Sequence, residues 1–316
     1  MSDPLFSVDS KIALVTGGGT GIGRMVATAL AQRGAKVYIV GRREEKLQEV
    51  VKETASYMGS IVALPGDVSN KDGILKVVET FKTKEKSLNI LVNAAGILRM
   101  DPVKADPDDS KFFAPYRNLA EALLSAPWVD WQDSMGMNVS ALYFLSVGFA
   151  PLLHQAYLDS PSSEDAPKET PVVINIGSIA GIHNASCTPG DHQRDAASVS
   201  YQTSKSAVIH LTKCLASRFL PLRIRVNCIA PGLFPSEMTN SDPKEIRNTH
   251  KTHFKAMPEG GKLSVKITSC RAGAPEDIAG PVLLLASRAG AYMNGNTLDV
   301  SGGRTLLLSA SIIPDA

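Results

Sequence analysis

The sequence predicts an α/β fold, a doubly wound parallel sheet of about seven strands with helices on both faces. Three observations predict it. Short β-branched apolar runs alternate with stretches of helical periodicity along the chain, the pattern of successive βαβ units. The runs lack polar alternation, as strands covered on both faces do. A cluster of glycines separates the first run from the first helix.

The elements follow in order. KIALVT (11–16) is the first strand, and Met25 to Arg33 then keep helical spacing. KVYIV (36–40) is the second, followed by a charged helix from near Arg43. IVALP (61–65) is the third, residues 70–86 form an amphipathic helix, and NILVN (89–93) is the fourth. A helix runs through Asn138 to about Leu153. VVINIG (172–177), a helix over roughly 200–219, and IRVNCIA (224–230) come next. A last helix near 276–287 leads to TLDV (297–300), read as an edge strand. Stretches at 99–128, 159–170, 183–198 and 233–274 break the pattern and read as insertions in one domain spanning 1–316. No internal repeat or linker separates two cores.

Composition narrows the function classes. The 316 residues are 44% hydrophobic and 20% charged, ordinary for a soluble globular chain. A net charge of +2 gives no basis for a nucleic-acid or anionic-membrane partner. Cys187, Cys214, Cys228 and Cys270 form no C-x-x-C pair and fit a reducing compartment, so a cytoplasmic location is expected. The start, MSDPLFSVDSK, lacks a signal-peptide pattern, and no uninterrupted apolar stretch of about 18 residues suggests a membrane span. His183, Cys187, Asp191, His192 and Asp195 share a loop with poor ligand spacing, so no metal is expected. Trp128 and Trp131 read as packing at the start of a helix, His154 and His210 as helix-face residues, and Met25, Met135 and Met137 as core fillers.

Thr16-Gly17-Gly18-Gly19-Thr20-Gly21-Ile22-Gly23 fits T-G-x-x-x-G-x-G. A turn that carries a dinucleotide must bend sharply, admit a pyrophosphate to its backbone, and start a helix whose N–H groups face the anion. Glycines are common in plain turns, but here they stand between a strand and a helix, as a Rossmann-type sheet requires. Gly17, Gly19, Thr20, Gly21, Ile22 and Gly23 are therefore candidate cofactor contacts. Where an acidic residue would select NAD, the chain has Gly41-Arg42-Arg43. Two guanidiniums suit a 2′-phosphate, so NADP(H) is the expected cofactor. The alternative, two solvated charges at a helix start, sits poorly with the helix dipole.

Tyr201 and Lys205 lie four apart on a predicted helix and share one face. A tyrosine pKa must fall from about 10 to near 7, about 4 kcal/mol, to serve near neutral pH. An ammonium at about 4 Å in an effective dielectric of ~20 supplies roughly that amount, so Lys205 is expected to lower the Tyr201 pKa.

These residues have companions. Asp67-Val68, Asn93-Ala94-Ala95-Gly96, Asn138, Ser178 in INIGSIAG, Asn227, Pro231-Gly232 and Ser236 follow in order. With them the chain resembles the short-chain dehydrogenase/reductase family over nearly its whole length. The resemblance implies that Tyr201 donates a proton to a carbonyl oxygen, that Ser178 holds that oxygen, and that Lys205 grips the nicotinamide ribose. It implies that Asn138 positions a water linking Lys205 to solvent. It places Asp67 and Val68 at the adenine, Asn93 to Gly96, Pro231 and Gly232 along the cofactor, and Ser236 at the nicotinamide amide. FSVDSKIALVTGG, VINIGSIAG, IAPGLFPSEMT and GAYMNGN are similar to ketoacyl reductases of bacterial rhamnolipid synthesis and their fungal relatives. That implies reduction of a small-molecule ketone, with β-keto or 3-oxoacyl substrates the suggested class, in a homo-oligomer (dimer or tetramer). An oxidising alcohol dehydrogenase and a catalytically idle cofactor-binding regulator are the alternatives. The interval from Ser178 to Tyr201 is longer than the family's usual spacing, and the 99–128 stretch also lengthens the chain before Asn138.

Overall fold

In the computed structural model, residues 4–99, 124–162, 168–183, 198–238 and 271–308 are described. Among them seven strands lie in one sheet: β1 (Ile12–Thr16), β2 (Lys36–Gly41), β3 (Ser60–Pro65), β4 (Ile90–Asn93), β5 (Val172–Ile176), β6 (Arg225–Pro231) and β7 (Thr297–Val300). All pairings are parallel, in the order β3-β2-β1-β4-β5-β6-β7. The order reverses between β1 and β4, which opens a crevice at the carboxyl ends of those strands. TLDV is the edge strand the sequence predicts.

The helices are α1 (Gly21–Gln32), α2 (Glu44–Glu53), α3 (Lys71–Lys82), α4 (Trp128–Met135), α5 (Ala141–Asp159), α6 (Val199–Arg218), α7 (Pro275–Ala286) and the short α8 (Arg304–Leu308). Alternate strand residues feed two cores. Ala13 and Val15 join Val26, Leu30, Leu47, Ile278 and Val282 under α1, α2 and α7. Leu14 joins Val77, Phe81, Leu145, Phe149 and Leu215 under α3, α5 and α6. Successive side chains of a strand point to opposite faces, so a strand covered on both must be apolar throughout.

Local chemistry sets the ends. Asn70 caps α3, its side chain accepting from Gly73 N at 2.9 Å. The predicted 70–86 helix closes at Lys82. The helix expected around Asn138 starts earlier and ends later: α4 and α5 are joined by a π-helical turn, Gly136–Ser140. Within the run Trp128–Asp159 an 18-residue window is apolar enough to cross a membrane, with mean hydropathy 1.4, but half of that window is buried here, as in a core helix. Trp128 does not pack as expected. It is 78% exposed, because only Ser134 of α4 is buried and the first turn stands clear of the sheet. Cys228 is buried and Cys214 partly so, while Cys187 and Cys270 lie outside the described residues.

At the far end of the sheet, buried Arg225 donates to the carbonyls of Leu285 and Gly290 at 2.9 Å and to Thr170 Oγ1 at 2.8 Å. Lys11 reaches Ala286 O at 3.1 Å and Glu169 at 2.7 Å. Two cations thus sit on the carbonyl end of α7, where the helix dipole favours them.

Candidate active site

The glycine turn is tied to its neighbours by backbone contacts. Thr16 Oγ1 accepts from Ala94 N and Ala95 N, both at 3.1 Å, which locks the end of β1 to the segment after β4. Gly17 has φ 68°, and a Cβ there would lie 3.0 Å from Ala95 Cα. A Cβ on Gly23 would come 2.3 Å from Gly17 O, so α1 can begin against the turn only with glycine there. Thr20 precedes α1 in an extended conformation and its side chain makes no capping bond. The first-turn N–H groups of α1 therefore keep no side-chain cap, and the bare glycine cradle beside them fits a pyrophosphate. Ser236 is brought to the same turn: a Cβ on Gly21 would lie 3.0 Å from Ser236 Cβ.

Arg42 and Arg43 follow β2 at the crevice rim. Arg43 is the N-cap residue of α2 and its Nη2 lies 2.7 Å from Glu237 Oε2. The Asp67 carboxyl is held below its ordinary range, first by the Ser69 backbone N–H at 2.9 Å and further by the nearby Arg42 charge. A cavity of about 360 Å³ lies beside Asp67, walled by Pro65, Gly66, Asn70, Gly73 and Lys76. Val68 packs in the core instead.

Ser178 stands just past β5, and its Oγ accepts from Ala180 N at 3.1 Å at the start of a 3₁₀ turn, Ile179–Gly181. Glycine at 181 lets that turn lie on α6, since a Cβ would meet Lys205 C at 2.5 Å. Ser198 caps α6 by accepting from Tyr201 N at 3.2 Å. Tyr201 and Lys205 are both buried on the inward face of α6, 9% and 6% exposed. The Lys205 ammonium lies 5.6 Å from the Tyr201 ring centre and donates to Ile176 O at 3.0 Å. Ser178 and Tyr201 share a hydrogen bond. The structure thus brings Ser178, Tyr201 and Lys205 together despite their lengthened spacing.

Asn138 lies buried in the π-helical turn. Its Oδ1 accepts from Ile97 N at 2.9 Å, and its Nδ2 donates to Ile97 O and Ser204 Oγ, both at 3.0 Å. The amide clamps the segment after Gly96 onto α6. Gly96 makes room for this, since its Cβ would stand 3.1 Å from Asn138 Oδ1 and 3.7 Å from Lys205 Nζ.

The electrostatics differ from the sequence expectation. Burial pushes the Tyr201 phenol up to about 12, and the bond to Ser178 is what acts to lower it. Burial also pushes the Lys205 ammonium down to about 8. A Coulomb estimate for a pair at about 4 Å omits the desolvation that dominates both groups here. Tyr201, a neutral phenol at neutral pH even at its ordinary value, is made still harder to ionise by its burial.

Two motif asparagines turn away from the crevice. Asn93 is fully buried and its Nδ2 donates to Asn175 Oδ1 at 2.9 Å and to Ser146 Oγ at 3.2 Å. Asn175 Nδ2 in turn donates to Thr212 Oγ1 at 3.0 Å, linking β4 and β5 to α6. Asn227 Nδ2 donates to Met293 O and its Oδ1 accepts from Asn296 N, which shapes the approach to β7. Sequence reading missed Asn175, Ser204 and Glu237. Asn175 had a signal, a lone amide in an apolar strand; Ser204 and Glu237 had none. Pro231 and Gly232 close β6, and a Cβ on Gly232 would meet Ser301 at 2.9 Å. Among the described residues no group of three or more His, Cys, Asp or Glu could hold a metal; Cys187, Asp191, His192 and Asp195 lie outside them.

Comparison with known proteins agrees with this arrangement. Residues 11–247 match the model of the family described as short chain dehydrogenase. The short-chain dehydrogenase/reductase PhomF of Diaporthe leptostromiformis is 36% identical over 307 residues, covering 97% of this chain and 95% of that protein. The rhamnolipids biosynthesis 3-oxoacyl-[acyl-carrier-protein] reductase of Pseudomonas aeruginosa is 33% identical, covering 95% and 98%. A solved Pseudomonas aeruginosa RhlG/NADP active-site complex superposes with a TM-score of 0.74 at 32% identity, covering 96% of this chain and 99% of that one. With its sheet order, glycine turn and Ser178–Tyr201–Lys205 cluster in place, the chain belongs to the short-chain dehydrogenase family.

Proposed function

We propose that this short-chain oxidoreductase is an NADPH-dependent carbonyl reductase whose substrates are ketones, with β-keto or 3-oxoacyl compounds the leading class. The observation that carries the reading is Tyr201, a buried phenol kept protonated by its surroundings and hydrogen-bonded to Ser178. The hydride for the carbonyl carbon would come from NADPH when it is bound. Tyr201 gives its proton to the carbonyl oxygen, so ketone becomes alcohol with atoms and charge in balance. Ser178 donates to that oxygen and holds it beside the phenol. The Lys205 cation steadies the phenolate left behind, and Asn138 holds the Gly96–Ile97 backbone around it. Gly17, Gly21 and Gly23 would cradle the pyrophosphate, Asp67 would stand at the adenine, and Arg42 and Arg43 would meet the 2′-phosphate. A relative at 33% identity named as a 3-oxoacyl-carrier reductase and a structural relative solved with NADP support the substrate class and the cofactor. Assembly into a homo-oligomer in the cytoplasm belongs to the same reading.

The test is NADPH consumption against a panel of 3-oxoacyl thioesters and bulky cyclic ketones. Tyr201→Phe is expected to abolish turnover while NADPH still binds. Near-normal turnover in that variant would overturn the acid assignment, and inactivity of the native chain on every carbonyl would favour a regulator. Arg42→Ala should raise the NADPH dissociation constant far more than that of NADH.

A further inference from the structure

A carboxylate already stands on one of the two guanidiniums that face the 2′-phosphate. Arg43 Nη2 lies 2.7 Å from Glu237 Oε2, a contact between residues 194 apart in the chain. Arg43 belongs to the β2–α2 corner, on the first half of the sheet. Glu237 follows β6, on the second half, in the segment that also carries Pro231, Gly232 and Ser236. Ser236 lies on Gly21 of the phosphate-binding turn. The bridge therefore spans the mouth of the crevice beside the place where a dinucleotide's phosphates would lie.

The pair is weak by construction. Its side chains are 52% and 43% exposed, and exposed ion pairs contribute about 0–1 kcal/mol. A 2′-phosphate carries more charge than a carboxylate and can take a guanidinium through two oxygens, so it wins a direct contest for Arg43. A dinucleotide without that phosphate has nothing with which to displace Glu237.

We propose that Glu237 is a specificity-determining residue that occupies Arg43 until the 2′-phosphate of NADPH displaces it. The proposal rests on the reading that Arg43 meets that phosphate. Glu237 then tempers NADPH affinity, easing release of the spent cofactor, and leaves NADH untouched.

The experiment is equilibrium titration of the full chain with NADPH and with NADH, followed by nucleotide fluorescence, for the native chain, E237Q, R43Q and the double variant. R43Q is expected to weaken NADPH about tenfold and to leave NADH within about twofold. E237Q is expected to tighten NADPH about threefold, the scale of one exposed ion pair, and to leave NADH unchanged. In the R43Q background, E237Q should have no effect, because the competition has lost its object. If R43Q weakens both nucleotides alike, the phosphate role of Arg43 falls and the proposal with it. If R43Q is selective but E237Q leaves NADPH unchanged or weaker, Glu237 is not a competitor and only the phosphate role stands.

Discussion

Replacing Lys205 with methionine should make the chain more stable at neutral pH while removing turnover. Lys205 is buried, and its ammonium donates to the single carbonyl of Ile176 at 3.0 Å. Burial lowers its pKa from the ordinary 10.5 to about 8. Between those values the unfolded chain binds the proton that the folded chain has released, so stability rises with pH across that window. Below pH 8 both states are protonated and the folded one carries the whole penalty, about 3 kcal/mol. Methionine has a similar reach and no charge, and it forfeits one hydrogen bond of about 1 kcal/mol. The net gain at pH 7 is then about 2 kcal/mol. Urea unfolding without added nucleotide, at pH 7 and again above pH 10, measures it. Cys228, raised to about 11 by burial, slopes the other way above its ordinary 9.0, but both proteins contain it and it largely cancels in the difference. A variant no more stable than the native chain at pH 7, or an advantage that does not shrink as pH rises from 8 to 10.5, would refute the reasoning.

Three further outcomes follow from the geometry. Arg225→Ala should destabilise the fold by about 3 kcal/mol or more in urea unfolding, because the carbonyls of Leu285 and Gly290 lose a buried charged donor. Gly23→Ala should cost about 1–3 kcal/mol by the same measurement, because the new methyl meets Gly17 O; NADPH fluorescence titration should show binding weakened about tenfold or more. Ser204→Ala removes a partner of the Asn138 amide without touching Tyr201 or Lys205 side chains. Steady-state kinetics should show kcat down about tenfold with KM little changed, the signature of a positioning loss.

Much of the fold was legible in the chain because its signals are local. Six apolar runs without polar alternation read as strands covered on both faces, TLDV with its alternation as an edge strand, and the sheet contains all seven. The glycine turn was legible because a strand-to-helix bend with close backbone approach excludes side chains at Gly17 and Gly23. Tyr201 and Lys205 were legible as partners because four residues make one helical turn. Other features depend on what folds against what. Trp128 looked like a packing residue, yet its helix turn faces away from the sheet. Where the Asn93 side chain goes is likewise set by its neighbour: β5 offers Asn175 directly across the pairing and draws the amide inward.

The sequence by itself determined the order of elements, the glycine turn that starts α1 and the placing of Tyr201 and Lys205 on one helix face. These follow from periodicity, glycine spacing and helical pitch, all properties of neighbouring residues. The tertiary structure alone decided the direction of the pKa shift at Tyr201 and the company of the rim arginines. Burial raises the Tyr201 pKa above that of a free phenol, and desolvation is invisible until the surrounding chain is in place. Glu237 reaches Arg43 only because the segment after β6 runs back past Gly21 to the corner after β2, across a chain separation no local pattern encodes.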